Sequence, residues 1–183
     1  MKYLRPAVAA ALSALVATHA AGALKDENLL LPVPKYYKVG YQAHHDNFAL
    51  TEMVPEGQTV ENWTEMITTQ IYSGSHMTFD QYRTDMVNRW QDACDDAQSY
   101  SLSSGTENGY DYEWWLQTCQ FKDDTRKPEF TWFKMIRGND AVYVVQKAFH
   151  FQPTKEESVE LSKYMKKIQV CDTRLENRAC PMR

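Results

Sequence analysis

The run "YDYEWWLQTCQF", residues 110–121, alternates with a period of two and is apolar on both sides. Tyr110, Tyr112, Trp114 and Leu116 share one face, and Trp115, Cys119 and Phe121 share the other. A strand with two apolar faces needs cover on both, which places it centrally in a sheet held between two layers. The chain must therefore supply further strands to flank it and helices to cover it.

It does so in a recognisable order. "EFTWFKMIRGNDAVYVVQKAFHF", residues 129–151, reads as a hairpin of two alternating runs joined at Gly138-Asn139, a pair suited to a turn with positive φ. Earlier, the apolar runs either side of the polar break at His44 to Asn47 read as two strands, the second closed by Pro55-x-Gly57. "WTEMITTQIY" follows as a third strand, with Ile67, Thr69 and Ile71 on one face and Met66, Thr68, Gln70 and Tyr72 on the other.

From residue 78 the period changes. Phe79, Tyr82, Met86, Trp90, Ala93, Cys94 and Ala97 recur three or four apart, the spacing of a helix with one buried face, and Thr78 with Gln81 forms a capping box at its start. A second capping box, Thr154 with Glu157, opens a final helix whose stripe is Leu161, Tyr164, Met165 and Ile168. The segment around Ser103, Ser104, Gly105, Asn108 and Gly109 reads as a loop.

The order is three strands, helix, three strands, helix. This predicts an α+β fold, a mainly antiparallel five- to six-stranded sheet flanked by two main helices in an α/β/α sandwich. Residues 24–35, with two prolines, read as an extended lead-in, and residues 36–183 as a single α+β domain with a disulfide-tied C-terminal tail.

Residues 1–23 place Lys2 and Arg5 before an Ala-rich apolar stretch and then small residues, the order of a secretory signal peptide cut after Ala20 or Ala23. The first cysteine is Cys94, so no lipid-anchor Cys follows the cut, and the expected location is periplasmic or secreted without stable membrane insertion. Loss of Lys2 and Arg5 moves the formal net charge from −4 to −6, which argues against nucleic acid as a partner. Four cysteines in an exported chain imply two disulfides. Of the three connectivities, Cys94–Cys119 with Cys171–Cys180 joins sequence-near pairs, and the first would tie helix to sheet. Each stabilises by about 3 kcal/mol in the chain-entropy picture.

The element order, the "VPEG" turn, the hairpin ahead of a final helix and the overall size resemble the PsbP-like α/β/α sandwich superfamily. That superfamily includes a thylakoid-lumen photosystem subunit and bacterial envelope and periplasmic proteins. The resemblance implies a binding or accessory role rather than an enzymatic one, with no functional residue to carry over.

Three groups of residues are candidates for function. His44, His45 and Asp46 combine imidazoles with a carboxylate, the donor types of a metal site, with His76 or His150 as distant ligands. Adjacent strand residues point to opposite sides, so His44 and His45 converge only in a loop. Asp92, Asp95 and Asp96 crowd a helix C-terminus, where a cation or a cationic partner would relieve them. Tyr110, Tyr112, Trp114 and Trp132, in adjoining strands, would form a partner-binding platform if one sheet face were left uncovered.

Lys134, Arg137 and Lys147 read as ordinary surface charge, and Glu65 as an exposed strand acid. Asn62-Trp63-Thr64 matches a glycosylation acceptor and sits at a turn. The expectation is an exported, non-enzymatic binding or accessory protein, of inhibitor or immunity type for instance, that recognises a protein or envelope component without a cofactor. The alternative is a metal-dependent hydrolase or metal-binding protein built on His44 and His45.

Overall fold

The computed structural model describes residues 24–123 and 125–181. The signal peptide expected over residues 1–23 lies outside the described residues. The strands are β1 (Glu27–Leu30), β2 (Tyr37–His45), β3 (Phe48–Pro55), β4 (Glu65–Ser73), β5 (Asp96–Glu107), β6 (Tyr110–Gln120), β7 (Glu129–Arg137), β8 (Ala141–Phe149) and β9 (Gln169–Asp172). Helix α1 spans Phe79–Ala93 and α2 spans Lys155–Lys166.

Seven strands form one sheet in the order β2-β3-β4-β8-β7-β6-β5, and β1 pairs with β9 in a second sheet of two. All pairings are antiparallel. The α+β reading holds, with more strands than the five or six expected. β6, β7 and β8 sit inside the sheet as their two apolar faces require. Trp115, Phe133, Met135, Val142 and Val144 meet Tyr82 of α1 on one side. Tyr110, Trp114, Trp132, Ile136, Tyr143 and Val145 meet Leu161 and Met165 of α2 on the other.

The additional strands come from three polar or short segments. β5 occupies the stretch read as a loop and runs straight on from α1, which ends at Ala93, so Ala97 belongs to the strand rather than the helix. Its exposed, Ser-rich sequence has little apolar alternation because it is an edge strand with its sides in solvent. The lead-in supplies β1, and the tail supplies β9.

Both capping boxes are present, Thr78 with Gln81 and Thr154 with Glu157. The disulfides are Cys94–Cys119, which ties the end of α1 to β6, and Cys171–Cys180, which ties the tail to β9. Arg174 adds bonds of 2.6 Å to both Asp172 and Asp140, and Asn108 donates to the Val170 carbonyl at 2.8 Å.

The β7–β8 turn forms as expected, but for another reason. Neither Gly138 nor Asn139 has positive φ. Glu27 of β1 reaches over the turn and accepts from the backbone N–H groups of Asn139 (2.7 Å) and Asp140 (3.1 Å) and from the Tyr143 hydroxyl (3.1 Å). A Cβ at Gly138 would run into the Glu27 carboxylate and lie 2.8 Å from the Ala141 carbonyl oxygen, so the glycine is required by close approach.

Candidate functional site

Within β7 and β8 the inward phase of the alternation carries two lysines. Lys134 lies between Trp132 and Ile136, and Lys147 between Val145 and Phe149, so both side chains follow their apolar neighbours under α2. Lys134 is 1% exposed and Lys147 is 6%, which corrects their reading as surface charge. A buried ammonium must find acceptors, and each does.

Lys134 Nζ donates to the carbonyls of Met165 (3.1 Å) and Ile168 (2.8 Å) and pairs with Glu107 at 2.5 Å. It therefore caps the C-terminal end of α2, where backbone carbonyls lack helical partners and the macrodipole favours a cation. Lys147 Nζ pairs with Glu65 Oε2 at 2.6 Å and also donates to the Tyr37 hydroxyl, which in turn donates to Glu65 Oε2 at 2.7 Å. Glu65 is thus not an exposed strand acid. The register puts it there: Glu65 lies opposite Phe149 across β4 and β8, two residues from Lys147 on the same face.

Burial alone would raise the Glu65 carboxyl, but the bonds from Lys147 and Tyr37 outweigh it and hold the group below its ordinary value. Burial lowers Lys147, with Glu65 opposing. Burial and the bond to Glu65 push the Tyr37 hydroxyl well up, so it remains a protonated donor. Lys147 and Glu65 neutralise each other, and the neutral Tyr37 hydroxyl bridges them.

This cluster forms the floor of a cleft of about 290 Å³ between α2, the end of β8 and the lead-in. Pro34, Tyr36, Phe149 and Phe151 line its walls, and Glu157, Glu160, Leu161 and Tyr164 contribute from α2. Tyr36 is 55% exposed and Phe151 36%. The Tyr164 hydroxyl is buried with no hydrogen-bond partner among the described residues. Both bonds to Glu65 fall on Oε2, leaving Oε1 without a donor among the described residues.

The residues singled out from sequence lie elsewhere. Tyr110, Trp114 and Trp132 are buried in the core under α2, and Tyr112 packs against that core with its hydroxyl on Ser103 at 3.1 Å. Cover on both faces of β6 and β7 leaves no open aromatic platform there. His45 Nδ1 stands 2.9 Å from Asp46 with both side chains in solvent, at the β2–β3 turn where Asp46 takes φ 47°. His44 precedes it on the strand and pairs in register with Ala49. Among the described residues no three His, Cys, Asp or Glu side chains gather as metal ligands. His150 is engaged elsewhere, stacked on Trp63 with ring centroids 3.5 Å apart.

Asp95 accepts from the Lys122 backbone N–H (2.9 Å) and from Arg126 (3.2 Å), so the loop after β6 supplies the cation the helix end called for. Asp92 and Asp96 face solvent. Thr64, in the acceptor tripeptide, bonds through its backbone N–H and its hydroxyl to Gln58 at 2.7 and 2.9 Å.

No family model and no curated protein matches this chain. Among solved structures, the fold is similar to cyanobacterial PsbP. That solution structure, from Synechocystis sp. PCC 6803, aligns with a TM-score of 0.44 at 9% identity over 85% of this chain and 98% of its own. LpqN, involved in cell envelope biogenesis of Mycobacterium tuberculosis, aligns with a TM-score of 0.34 at 11% identity over 82% of this chain and 86% of its own. The first of these structures bears the name of the family that the sequence resembles, and at these identities and TM-scores neither alignment carries a fold assignment or a residue role across.

Proposed function

We propose that the protein is a non-enzymatic binding or accessory protein that works outside the cytoplasm on a protein or envelope component, and that the cleft beside α2 is where it holds that partner. One observation carries the reading: two exposed aromatics, Tyr36 and Phe151, line a cleft together with Phe149 and Leu161, an apolar surface left open beside α2. Aromatic side chains of this kind anchor partners because a large apolar area is offered at small conformational cost.

A binding role suits the floor chemistry better than catalysis does, since Lys147, Glu65 and Tyr37 are consumed by one another. Two disulfides fit an oxidising compartment, extracellular or periplasmic. No helix among the described residues is long and apolar enough to cross a membrane.

Photo-crosslinking in the protein's own host tests the reading, with the reactive amino acid placed at Tyr36, at Phe151 or, as a control, at Asp92 at the far end of α1. A discrete adduct from the first two positions and none from the third is the expected result. Adducts at all three alike, or at none, overturn it.

A further inference from the structure

We infer that the cleft selects an organic ammonium group, a primary or quaternary amine on an apolar stem. This rests on the proposed binding role of the cleft and names the chemistry of what it binds. The charge of the lining decides the sign. Three carboxylates, Glu65, Glu157 and Glu160, face one ammonium, Lys147, which is already committed to Glu65 and Tyr37. Of the two α2 carboxylates, Glu157 accepts from the Thr154 backbone N–H as part of the capping box, and Glu160 pairs with exposed Lys163. Both bonds leave a carboxylate in place at the cleft.

The walls favour the same ligand. Aromatic faces attract cations through their quadrupoles, best when water is excluded. The floor already demonstrates this, because Lys147 Nζ lies 4.5 Å from the Tyr37 ring centroid and 4.9 Å from that of Phe149. Beside it, Glu65 Oε1 takes no bond among the described residues and stands as an open acceptor. A primary ammonium would donate to that oxygen and a quaternary one would rest against the aromatic faces, in either case with the stem packed between Tyr36 and Phe151. A carboxylate or phosphate in the same place would face Glu65 and the two α2 carboxylates. A neutral alcohol would gain the Glu65 contact without the charge attraction.

Four probes of one shape separate these cases: benzylamine, benzyltrimethylammonium, benzyl alcohol and benzoate, titrated into the full disulfide-bonded protein and followed by NMR. The two cations are expected to shift resonances of Tyr36, Phe151, Leu161 and Tyr164 with dissociation constants on the order of 1 mM, as small ligands of this size allow. Benzyl alcohol and benzoate should bind at least about tenfold more weakly. Glu157→Gln with Glu160→Gln, which keeps a capping side chain at 157, should weaken the cations roughly three- to tenfold and leave benzyl alcohol unchanged.

Equal or tighter binding of benzoate or benzyl alcohol at these residues overturns the ammonium preference and leaves the cleft as a recognition site. Failure of all four probes, with crosslinking from Phe151 intact, also overturns the preference alone. Failure of both experiments removes the proposed function with it.

Discussion

Under α1 no charged side chain is buried among the described residues. Trp115 and Phe133 stack with centroids 5.0 Å apart, Tyr82 and Trp90 of the helix meet them edge-on, and the Cys94–Cys119 bond fastens the end of the helix to β6. Under α2 the same two strands, β7 and β8, present Lys134 and Lys147. Lys134 bonds the carbonyls of Met165 and Ile168 at the end of the helix, while Lys147 bonds Glu65 of β4 beneath it. The buried polar side-chain atoms without partners among the described residues, on Tyr110, Trp114 and Tyr164, also belong to the α2 face. One face is fixed by packing and a covalent bond, the other by charge. The difference teaches where function can reside, because a charged and incompletely satisfied face can exchange an internal partner for an external one, and a stacked aromatic face cannot.

The largest expected effect falls on the uncharged face. Trp115→Ala removes a fully buried indole from a stack and should cost about 4 kcal/mol in urea unfolding. Its cost should be the same at pH 4 and pH 9. A cost that varies with pH would break the contrast between the faces.

Glu65→Ala comes next, at about 3 kcal/mol near neutral pH, because it leaves Lys147 buried beside an empty partner position. Here pH matters, and its sign follows from the shifts. Glu65 is held below its ordinary value, so in the native protein its contribution is present above the unfolded carboxyl pKa of about 4.3 and is lost as pH falls through the lower folded value. Lys147 is depressed, and without Glu65 more so; unfolded chains then bind more protons, and the variant regains stability as pH rises toward the free lysine value. The gap between variant and wild type should therefore narrow at both ends of the pH range. A flat gap would show that the pair is not what holds that face.

Replacing the Cys94–Cys119 pair by serines should cost about 3 kcal/mol, and the Cys171–Cys180 pair, with a shorter loop, somewhat less. The first variant loosens α1 alone; hydrogen exchange should rise there while amides of α2 keep their protection. Equal loosening of both helices would mean that the layers are coupled through the sheet and are not independent.

Much of this division was legible in the sequence. Alternation placed β6, β7 and β8 at the centre, helical spacing and capping boxes placed both helices, and proximity along the chain paired the cysteines. Three things were not legible, for physical reasons. β5 is an edge strand whose sides face water, so its sequence carries no apolar period to detect. β1 and β9 are four residues each and exist through each other, which no local window registers. The candidate site was missed because lysine is read as solvated by default. The signal was nonetheless present: Lys134 shares its phase with Trp132 and Ile136, and Lys147 with Val145 and Phe149, so each lysine occupies a core position in an otherwise unbroken apolar row. The acids that answer them, Glu65 and Glu107, lie tens of residues away in sequence and become partners only through strand register.

The smallest effect on stability is the most informative about why the charges are there. A double substitution, Glu65→Gln with Lys147→Met, removes both charges and keeps the volume. Because desolvation of a buried ion pair roughly cancels its attraction, the change should be within about 1 kcal/mol of neutral, against about 3 for Glu65→Ala alone. The comparison is made by urea unfolding of the two variants. If the double variant is as stable as wild type but no longer yields the crosslink at Phe151, the pair is retained for the partner and not for the fold. If it is as unstable as the single variant, the pair is structural, and the cleft above it owes its shape to a charge that the helix cannot be packed without.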